Sequence, residues 1–366
     1  MLQERHLAEG TNPVIWPHLG LRPVALLLFA LLLAGAFSLN LVLGSVTVPL
    51  DQVLLILTGQ TPEHAPWTTI VRDFRLPKAL TATLAGSALG VAGLQMQTLF
   101  RNPLADPFVL GVSAGASLGV ALVVLSVGVV GGASMFAVSG WLNQMSLTVA
   151  ASVGAALVLG VVLLLARHVQ QSVTLLIVGL MIGYLTSALV SLLVAFAVAP
   201  ERVQAYIVWN FGSFGGVTWQ QLQVFAPTIL IGMVIAFALT KSLNALLLGE
   251  SYARSMGLRV THSRFWIVTS ASLLAGAVTA FCGPIAFLGI AVPHFCRTLL
   301  ATADHRVLLP SVTLLGATCA LLVDLVAQLP GHTLVLPLNA VMSLVGAPVV
   351  IWVLLHRPAG QASMDR

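Results

Sequence analysis

Side chains that could carry proton chemistry are rare in this sequence, and its apolar stretches hold almost none. Asp324 is the one acid, and His294 the one histidine, that falls well inside a long apolar segment. A charge at the centre of a bilayer costs about 2.5–3.5 kcal/mol on insertion scales, so such a group needs a partner or a function. Two separate groups make poor material for a proton relay. We therefore expect Asp324 to be a paired structural acid and His294 to make a structural hydrogen bond.

Nucleotide and metal motifs are also missing from the sequence. Neither of its two lysines, Lys78 and Lys241, follows a glycine, so the chain has no phosphate-binding P-loop. No HExxH pair is present, which disfavours a membrane-embedded metalloenzyme. The three cysteines lack metal-ligand spacing and are expected to be small core residues: Cys282, Cys296 and Cys319. The chain is therefore predicted to be no enzyme, and to hold no cofactor or metal of its own.

The elements that must position these residues are membrane helices. Of the 366 residues, 58% are hydrophobic and only 7% are charged, whereas a globular domain carries about 25% charged residues. At about 20 apolar residues per crossing, the sequence predicts ten spans in one transmembrane domain over 23–357, flanked by tails 1–22 and 358–366. The spans lie near 23–44, 77–98, 109–131, 145–166, 173–198, 222–243, 265–282, 284–301, 308–328 and 336–356. The expected fold is thus an all-α polytopic membrane protein.

The basic residues predict the orientation of the chain. With the N-terminus and the C-terminus in the cytoplasm, 12 lysines and arginines fall inside and 4 fall outside, as the positive-inside rule requires. Three of the four exceptions are packed into seven residues, namely Arg72, Arg75 and Lys78, and the fourth is Arg202. In so apolar a chain the net charge of +5 reports orientation and lipid headgroups, so no nucleic-acid partner is expected.

An internal echo predicts a repeated architecture. The sequence ATLAGSALGVAG near 82–93 is similar to SLLAGAVTAFCG near 272–283. These copies lie in the second and seventh spans, and an odd offset of five places them in opposite orientations. Inverted pseudo-repeats of this kind are common in transporters. Between the fifth and sixth spans, the segment 200–219 is too short to cross and is expected to form a short helix at the external mouth.

The polar segment between the sixth and seventh spans is the other distinctive stretch. LLLGESYARSMGLRVTHSR, from 246 to 264, predicts a short amphipathic helix that ends near Gly257. Such a helix lies along a membrane face or docks a soluble partner, and composition leaves both interpretations open.

Four stretches, in order and correctly spaced, resemble the permease subunit of type II ABC importers, which take up ferric siderophores, haem and vitamin B12. The resemblance covers about residues 70–357. The stretches are RLPKALTATLAGSALGVAGLQMQTLFRNPLADPFVLGVSAGASLG from 75, LGESYARSMGL from 248, GPIAFLGIAVPHFCRTLLATADHRVLLPSVTLLGA from 283, and LPLNAVMSLVGAP from 336. The resemblance implies ten helices per subunit, a homodimer or paired permease, two cytoplasmic ATPase subunits that bind Mg-ATP, and a periplasmic binding protein, all at the bacterial inner membrane.

The resemblance also implies roles for residues at the external face. The family's arginines at the RLP step dock the binding protein, and here they are Arg72 and Arg75. A third family arginine falls at Gln328, which weakens or changes that contact, and Lys78 or Arg202 is a candidate to compensate. Asn339 stands where the family usually has glycine.

On the cytoplasmic face the resemblance implies a coupling helix and a gate. The gate falls at Ser172 and Thr174, where Val173 interrupts the family's adjacent Thr and Ser. The residues matched to ATPase coupling are Leu248, Gly249, Glu250, Ala253, Arg254 and Gly257.

The expected function is the transmembrane permease of an ATP-driven importer, with a ferric siderophore as the first choice of cargo. Haem, cobalamin or an oxyanion such as molybdate are the alternatives within the same machinery. A secondary transporter is the alternative from another class, and it is disfavoured by the scarcity of acids in the spans.

Overall fold

The computed structural model describes residues 21–125, 141–169, 171–197, 199–331 and 335–355, and within these ranges it contains helices and no strand. In chain order, the first eight helices described are α1 (Leu21–Val42), α2 (Leu50–Leu57), α3 (Ala65–Thr69), α4 (Leu76–Leu99), α5 (Val112–Leu125), α6 (Trp141–His168), α7 (Ser172–Ala195) and α8 (Pro200–Asn210). The remainder are α9 (Trp219–Ala238), α10 (Thr240–Leu247), α11 (Glu250–Ser255), α12 (Val260–Cys282), α13 (Leu288–Leu300), α14 (His305–Gln328) and α15 (Leu338–Leu355). A π-helical turn, Ile70–Arg75, leads into α4, and a 3-10 turn, Pro107–Leu110, leads into α5.

About ten crossings are confirmed. Seven helical segments in the described part of the chain are long and apolar enough to span a membrane, and three shorter apolar helices accompany them: Val112–Leu125, Leu288–Leu300 and Leu338–Pro348. Each of the ten matches one predicted span, with shifts of a few residues. The predicted tail 1–22 lies outside the described residues except for its last two, which begin α1, and the tail 358–366 lies outside them entirely.

Hydrogen bonds between connecting segments define the two ends of the bundle. At one end, Ser213 N donates to Cys282 O at 2.8 Å, and Asn339 N donates to Phe211 O at 3.0 Å. This end, which includes α8 and the residues before α4, is the α8 end below. The opposite end carries α10 and α11 and is the α11 end below. The predicted topology assigns the α8 end to the external side and the α11 end to the cytoplasm.

The second span, α4, is the central helix of the bundle. In an apolar 18-residue stretch of the segment Ala65–Leu99, 83% of the residues are buried, whereas the corresponding fraction for α7 is 22%. Small residues make this burial possible, because a Cβ at Gly86 would collide with the Gly316 carbonyl and one at Gly93 with that of Gly289. The backbones of α14 and α13 therefore pack directly on α4. Cys282 and Cys296 are buried in the same core, as predicted.

Helix packing follows the predicted inverted pseudo-repeat. The second span α4 packs on the ninth span α14, and the seventh span α12 packs on the fourth span α6. The two pairs correspond through an offset of five spans, from the second to the seventh and from the fourth to the ninth, and an odd offset reverses the direction of a helix across the bundle. The similar sequences at 82–93 and 272–283 therefore lie in α4 and at the end of α12, the two helices that hold equivalent positions in the two repeats.

The predicted spans 77–98 and 109–131 place the whole connection from α4 to α5 in the cytoplasm, and the structure departs from this. The start of the connection lies at the α11 end, where a Cβ at Gly249 would be 3.6 Å from Arg101 Nη1. Further on, a Cβ at Gly289 would lie 2.6 Å from Pro107 Cδ, and one at Gly179 would lie 3.0 Å from Leu110 Cα. Gly179 is about 10 Å along α7 from its first residue, so the chain re-enters the bundle before α5 begins. The sequence does not show this because the apolar residues just before α5 read as part of the helix that follows.

Candidate functional site

Arg75, predicted to dock a partner, lies inside the α8 end. Its Nη1 donates to Leu41 O at 2.8 Å and to Val42 O at 2.9 Å, and its Nη2 donates to Val46 O. The residue is only 7% exposed. Leu41 and Val42 are the last two residues of α1, where a helix leaves its carbonyls without internal partners, and Val46 lies in the segment that follows. Arg75 is therefore buried and bound to the chain itself, and its docking role stays a prediction.

Arg72 has the opposite environment. Its side chain is exposed, and its carbonyl accepts a hydrogen bond from Trp219 Nε1 at 3.0 Å. The π-helical turn separates the two arginines by directing Arg72 outward and Arg75 inward. The docking role stays a prediction for Arg72.

Asp324 is a paired acid, as predicted. Its Oδ1 lies 3.1 Å from Lys78 Nζ, and its Oδ2 accepts from Gln328 Nε2 at 2.6 Å. The Asp324 side chain is 4% exposed and that of Lys78 19%. Gln328, at the position of the third family arginine, thus supports an internal ion pair, and Lys78 is occupied in the same cluster. The hydrogen bond expected for the His294 side chain stays a prediction.

Asn339 has a clear local function. Its Oδ1 accepts from Ala286 N at 3.2 Å, in the unwound segment between α12 and α13. Phe287 follows with a φ of 67°, a conformation that β-carbon residues adopt at a cost. A glycine at 339 would leave the Ala286 N–H without this acceptor. The departure from the family pattern therefore stabilises the fold at the α8 end.

At the α11 end, two glycines delimit the predicted coupling helix. Gly249 precedes α11 with a φ of 100°, and Gly257 follows it with a φ of 84°. Both values lie where residues other than glycine are strained. Between them Ala253 is completely buried against the bundle. The short helix thus has a fixed inner face and sharp turns at each end.

Three large apolar side chains stand exposed on this helix and at its two ends. Tyr252 lies on α11 and is 54% exposed, Leu248 lies just before Gly249 and is 61% exposed, and Met256 directly follows α11 and is 57% exposed. We call these three residues the α11 stripe. Arg254 lies beside it with a side chain that is 59% exposed.

The inner polar residues of this end form a cluster around Glu250. Its Oε1 accepts from Ser172 Oγ at 2.5 Å and from Arg264 Nη2 at 2.7 Å. Arg264 Nη1 also donates to Val169 O at 2.9 Å, and Arg254 Nη2 lies 3.6 Å from Glu250 Oε2. The structure thereby joins Ser172 of the predicted gate to the predicted coupling helix. Thr174, the other gate residue, is exposed on α7 and takes no part in the cluster.

Sequence reasoning missed Arg264. It was counted among the basic residues that set orientation, yet it is 2% exposed in the first turns of α12. As the last residue of the polar segment 246–264, directly before the predicted span 265–282, it gave no sign of burial. The structure begins α12 at Val260, and a buried guanidinium needs a carboxylate partner. The acid of the same polar segment supplies it.

A second polar cluster fixes α10. His305 is completely buried, and its ring contacts Thr98 Oγ1 and Asn244 Oδ1, both at 2.8 Å. Asn244 Nδ2 donates to Asp304 Oδ1 at 2.7 Å. These bonds tie α10 to α4 and α14. The coupling helix α11 therefore follows a helix, α10, that is fixed to the core by these hydrogen bonds.

A groove of about 780 Å³ runs along α5, α7 and α8. Hydroxyl groups are frequent in its lining, which includes Ser113, Ser117, Tyr184 and Ser187, and one carboxylate belongs to Asp106. Among the described lining residues there is no lysine or arginine. The groove can exchange hydrogen bonds with a large polar molecule without holding it through strong ion pairs.

Comparison with known proteins agrees with this architecture. The model of the FecCD transport family matches residues 30–356. The chain belongs to the FecCD transport family. The ABC transporter permease YvrB of Bacillus subtilis, whose function is uncharacterised, is 32% identical over 340 residues, which cover 91% of this chain and 93% of YvrB. The vitamin B12 import permease BtuC of Salmonella typhimurium is 37% identical over 286 residues, covering 78% of this chain and 83% of BtuC.

The fold of this FecCD protein has also been seen in a solved structure. A protein described as a metal-chelate type ABC transporter, in an inward-facing conformation, superposes with a TM-score of 0.79 at 27% identity, over 92% of this chain and all of that one. The chain is therefore an ABC importer permease, a multi-pass translocation subunit of the bacterial inner membrane. In this family the ATPase is a separate partner, as the missing P-loop requires.

Proposed function

We propose that this permease carries an iron chelate, with a ferric siderophore as the first choice, from a periplasmic binding protein into the cytoplasm. Two observations support a chelate. The structural neighbour is described as a metal-chelate type transporter, and the groove along α7 offers many hydroxyl groups and one carboxylate. Haem and cobalamin are the alternatives, and the relative named for vitamin B12 import favours the second.

The observation that carries the proposal is the α11 stripe. Three large apolar side chains stand exposed on and beside a short helix that is bounded by two glycines and fixed by a buried alanine. Large exposed apolar residues beside a charged rim are typical of protein interaction sites. We assign the α11 stripe, with Arg254 at its edge, as the surface that contacts a cytoplasmic ATPase. That separate ATPase, and not this chain, binds Mg-ATP.

The orientation follows from that assignment. The α11 end faces the cytoplasm together with both termini, and the α8 end faces the binding protein. Arg72 is the exposed basic residue proposed to meet an acid on that partner. A second permease, identical or paired, completes the path along the groove.

Reconstitution with its ATPase and binding protein tests this function. Purified permease in proteoliposomes is expected to take up a ferric siderophore only when the binding protein is outside and ATP is inside. Parallel vesicles receive haem or cobalamin, and faster uptake of either would reassign the cargo. Uptake that proceeds without any ATPase would replace the importer by a secondary transporter.

A further inference from the structure

We propose that Glu250 is a switchable link between the coupling helix and the first turn of α7, and that Arg264 positions it. This inference rests on the proposed docking of an ATPase at α11. It assigns Glu250 to the permease's own mechanism, whereas its place in the coupling segment alone would assign it to contact with the ATPase.

The geometry gives Glu250 two partners on two different helices. One carboxylate oxygen accepts both the Ser172 hydroxyl of α7 at 2.5 Å and the Arg264 guanidinium of α12 at 2.7 Å. Arg264 is held in turn by Val169 O at the end of α6, at 2.9 Å. The carboxylate therefore sits where three long helices meet α11.

The two partners bind Glu250 unequally. The Arg264 bond joins a guanidinium that is 2% exposed to a carboxylate that is 28% exposed, and its loss would leave a buried cation without this carboxylate. The Ser172 bond has one neutral donor and is the weaker of the two. When α11 moves, the bond from Ser172 to Glu250 is therefore the one that opens, while the ion pair with Arg264 keeps Glu250 bound to α12.

The two helices also differ in how firmly the bundle holds them. In an apolar 18-residue stretch of α12, 72% of the residues are buried, whereas in α7 the corresponding fraction is 22%. Gly179 of α7 lies against Val109 and Leu110, and Gly183 lies against Gly111, all in the re-entrant segment. A change at Ser172 thus acts on the more loosely held helix, which also lines the hydroxyl-rich groove. The link transmits movement of the coupling helix to the cargo path.

The test uses the complete complex of permease, ATPase and binding protein in proteoliposomes. Ser172→Ala removes only the α7 side of the link, and Ser172→Thr restores a hydroxyl. Thr186→Ala is the matched control on α7 and Ser255→Ala is the control on α11, because each of these hydroxyls donates to a carbonyl of its own helix. The readouts are cargo carried per ATP hydrolysed and the affinity of the ATPase for the permease.

Ser172→Ala is expected to lower cargo per ATP about tenfold, the change expected for loss of one hydrogen bond to a charged group, with unchanged ATPase affinity. Ser172→Thr is expected to recover the wild-type ratio, as are both controls. A Ser172→Ala complex that matches Thr186→Ala, beside a wild type that transports, would overturn the link and leave the importer function intact. A wild-type complex with no ATP-dependent uptake would overturn the proposed function and the link with it.

Discussion

The two ends of the bundle treat their chemically active side chains in opposite ways. At the α8 end the polar groups are used internally: Arg75 binds three backbone carbonyls, and Lys78 pairs with Asp324. At the α11 end the charged groups also bind inward, yet three large apolar side chains are left on the outside. The α11 stripe is therefore a surface of the kind that a permanent partner covers.

The difference indicates two kinds of partner. A surface that exposes apolar side chains gains stability when it stays covered, which suits an ATPase that remains bound. A surface whose strong polar groups are already satisfied can bind and release a visiting protein without breaking those bonds. The α8 end offers Arg72 for steering, and opposite charges across such a contact mainly raise the rate of encounter.

The largest effect is expected at the buried ion pair. Lys78→Met would leave the Asp324 carboxylate buried without its cation, and breaking such a pair costs about 3–5 kcal/mol. The loss should appear as a lower midpoint of thermal unfolding in detergent. The double variant Lys78→Met with Asp324→Leu removes both charges and is expected to recover most of it. A double variant as unstable as the single would contradict the pairing.

Arg75→Ala should be the next most damaging change. It deprives three carbonyls at and just after the end of α1 of a charged donor, and we expect a loss of about 3 kcal/mol. Thermal unfolding of Arg75→Ala and Arg72→Ala, measured side by side, tests this directly. Arg72→Ala should unfold like the wild type because its side chain is exposed. Equal effects of the two alanines would remove the contrast drawn between the two arginines.

The α11 stripe should affect binding and leave folding unchanged. Tyr252→Asp places a charge in the centre of the proposed ATPase contact, and central interface residues contribute about 2 kcal/mol or more. Titration of the purified ATPase onto the detergent-solubilised permease should show the weaker affinity. Thr261→Asp, an exposed position just beyond the coupling helix, is the control. Equal affinity for both variants would place the ATPase elsewhere.

Arg72→Glu is expected to have the smallest energetic effect. A single exposed ion pair is worth about 0–1 kcal/mol, so the change should slow association of the binding protein and leave its dissociation nearly unchanged. Stopped-flow association at low and high salt separates these terms, because salt screens exposed charges. Arg202→Glu is the control for net charge. A slower dissociation or no change at low salt would argue against docking at Arg72.

Much of the fold was predictable from the sequence, because runs of about 20 apolar residues are strong signals. All ten spans were identified in order. The starts of α5 and α13 were not, since the unwound segments before them are as apolar as a helix and only packing shows where the helix begins. The short helix α8 was expected because its segment is too short to cross.

The candidate site was predictable in its residues but not in their directions. Charge counts placed Arg72 and Arg75 together outside, and only the π-helical turn shows that one faces inward. The coupling segment was located by its motif, while the inward direction of Glu250 depends on Arg264, 14 residues further along. Such pairings follow from tertiary packing, which spacing along the chain does not report.

The central claim is that this chain is a permease driven by a separate ATPase bound at α11. The most direct measurement is ATP hydrolysis by the reconstituted complex, with and without cargo-loaded binding protein, for the wild type and for Tyr252→Asp. We predict stimulation by the binding protein in the wild type and its loss in Tyr252→Asp, whose unfolding temperature should stay unchanged. A stably folded Tyr252→Asp complex with full stimulation would contradict the account.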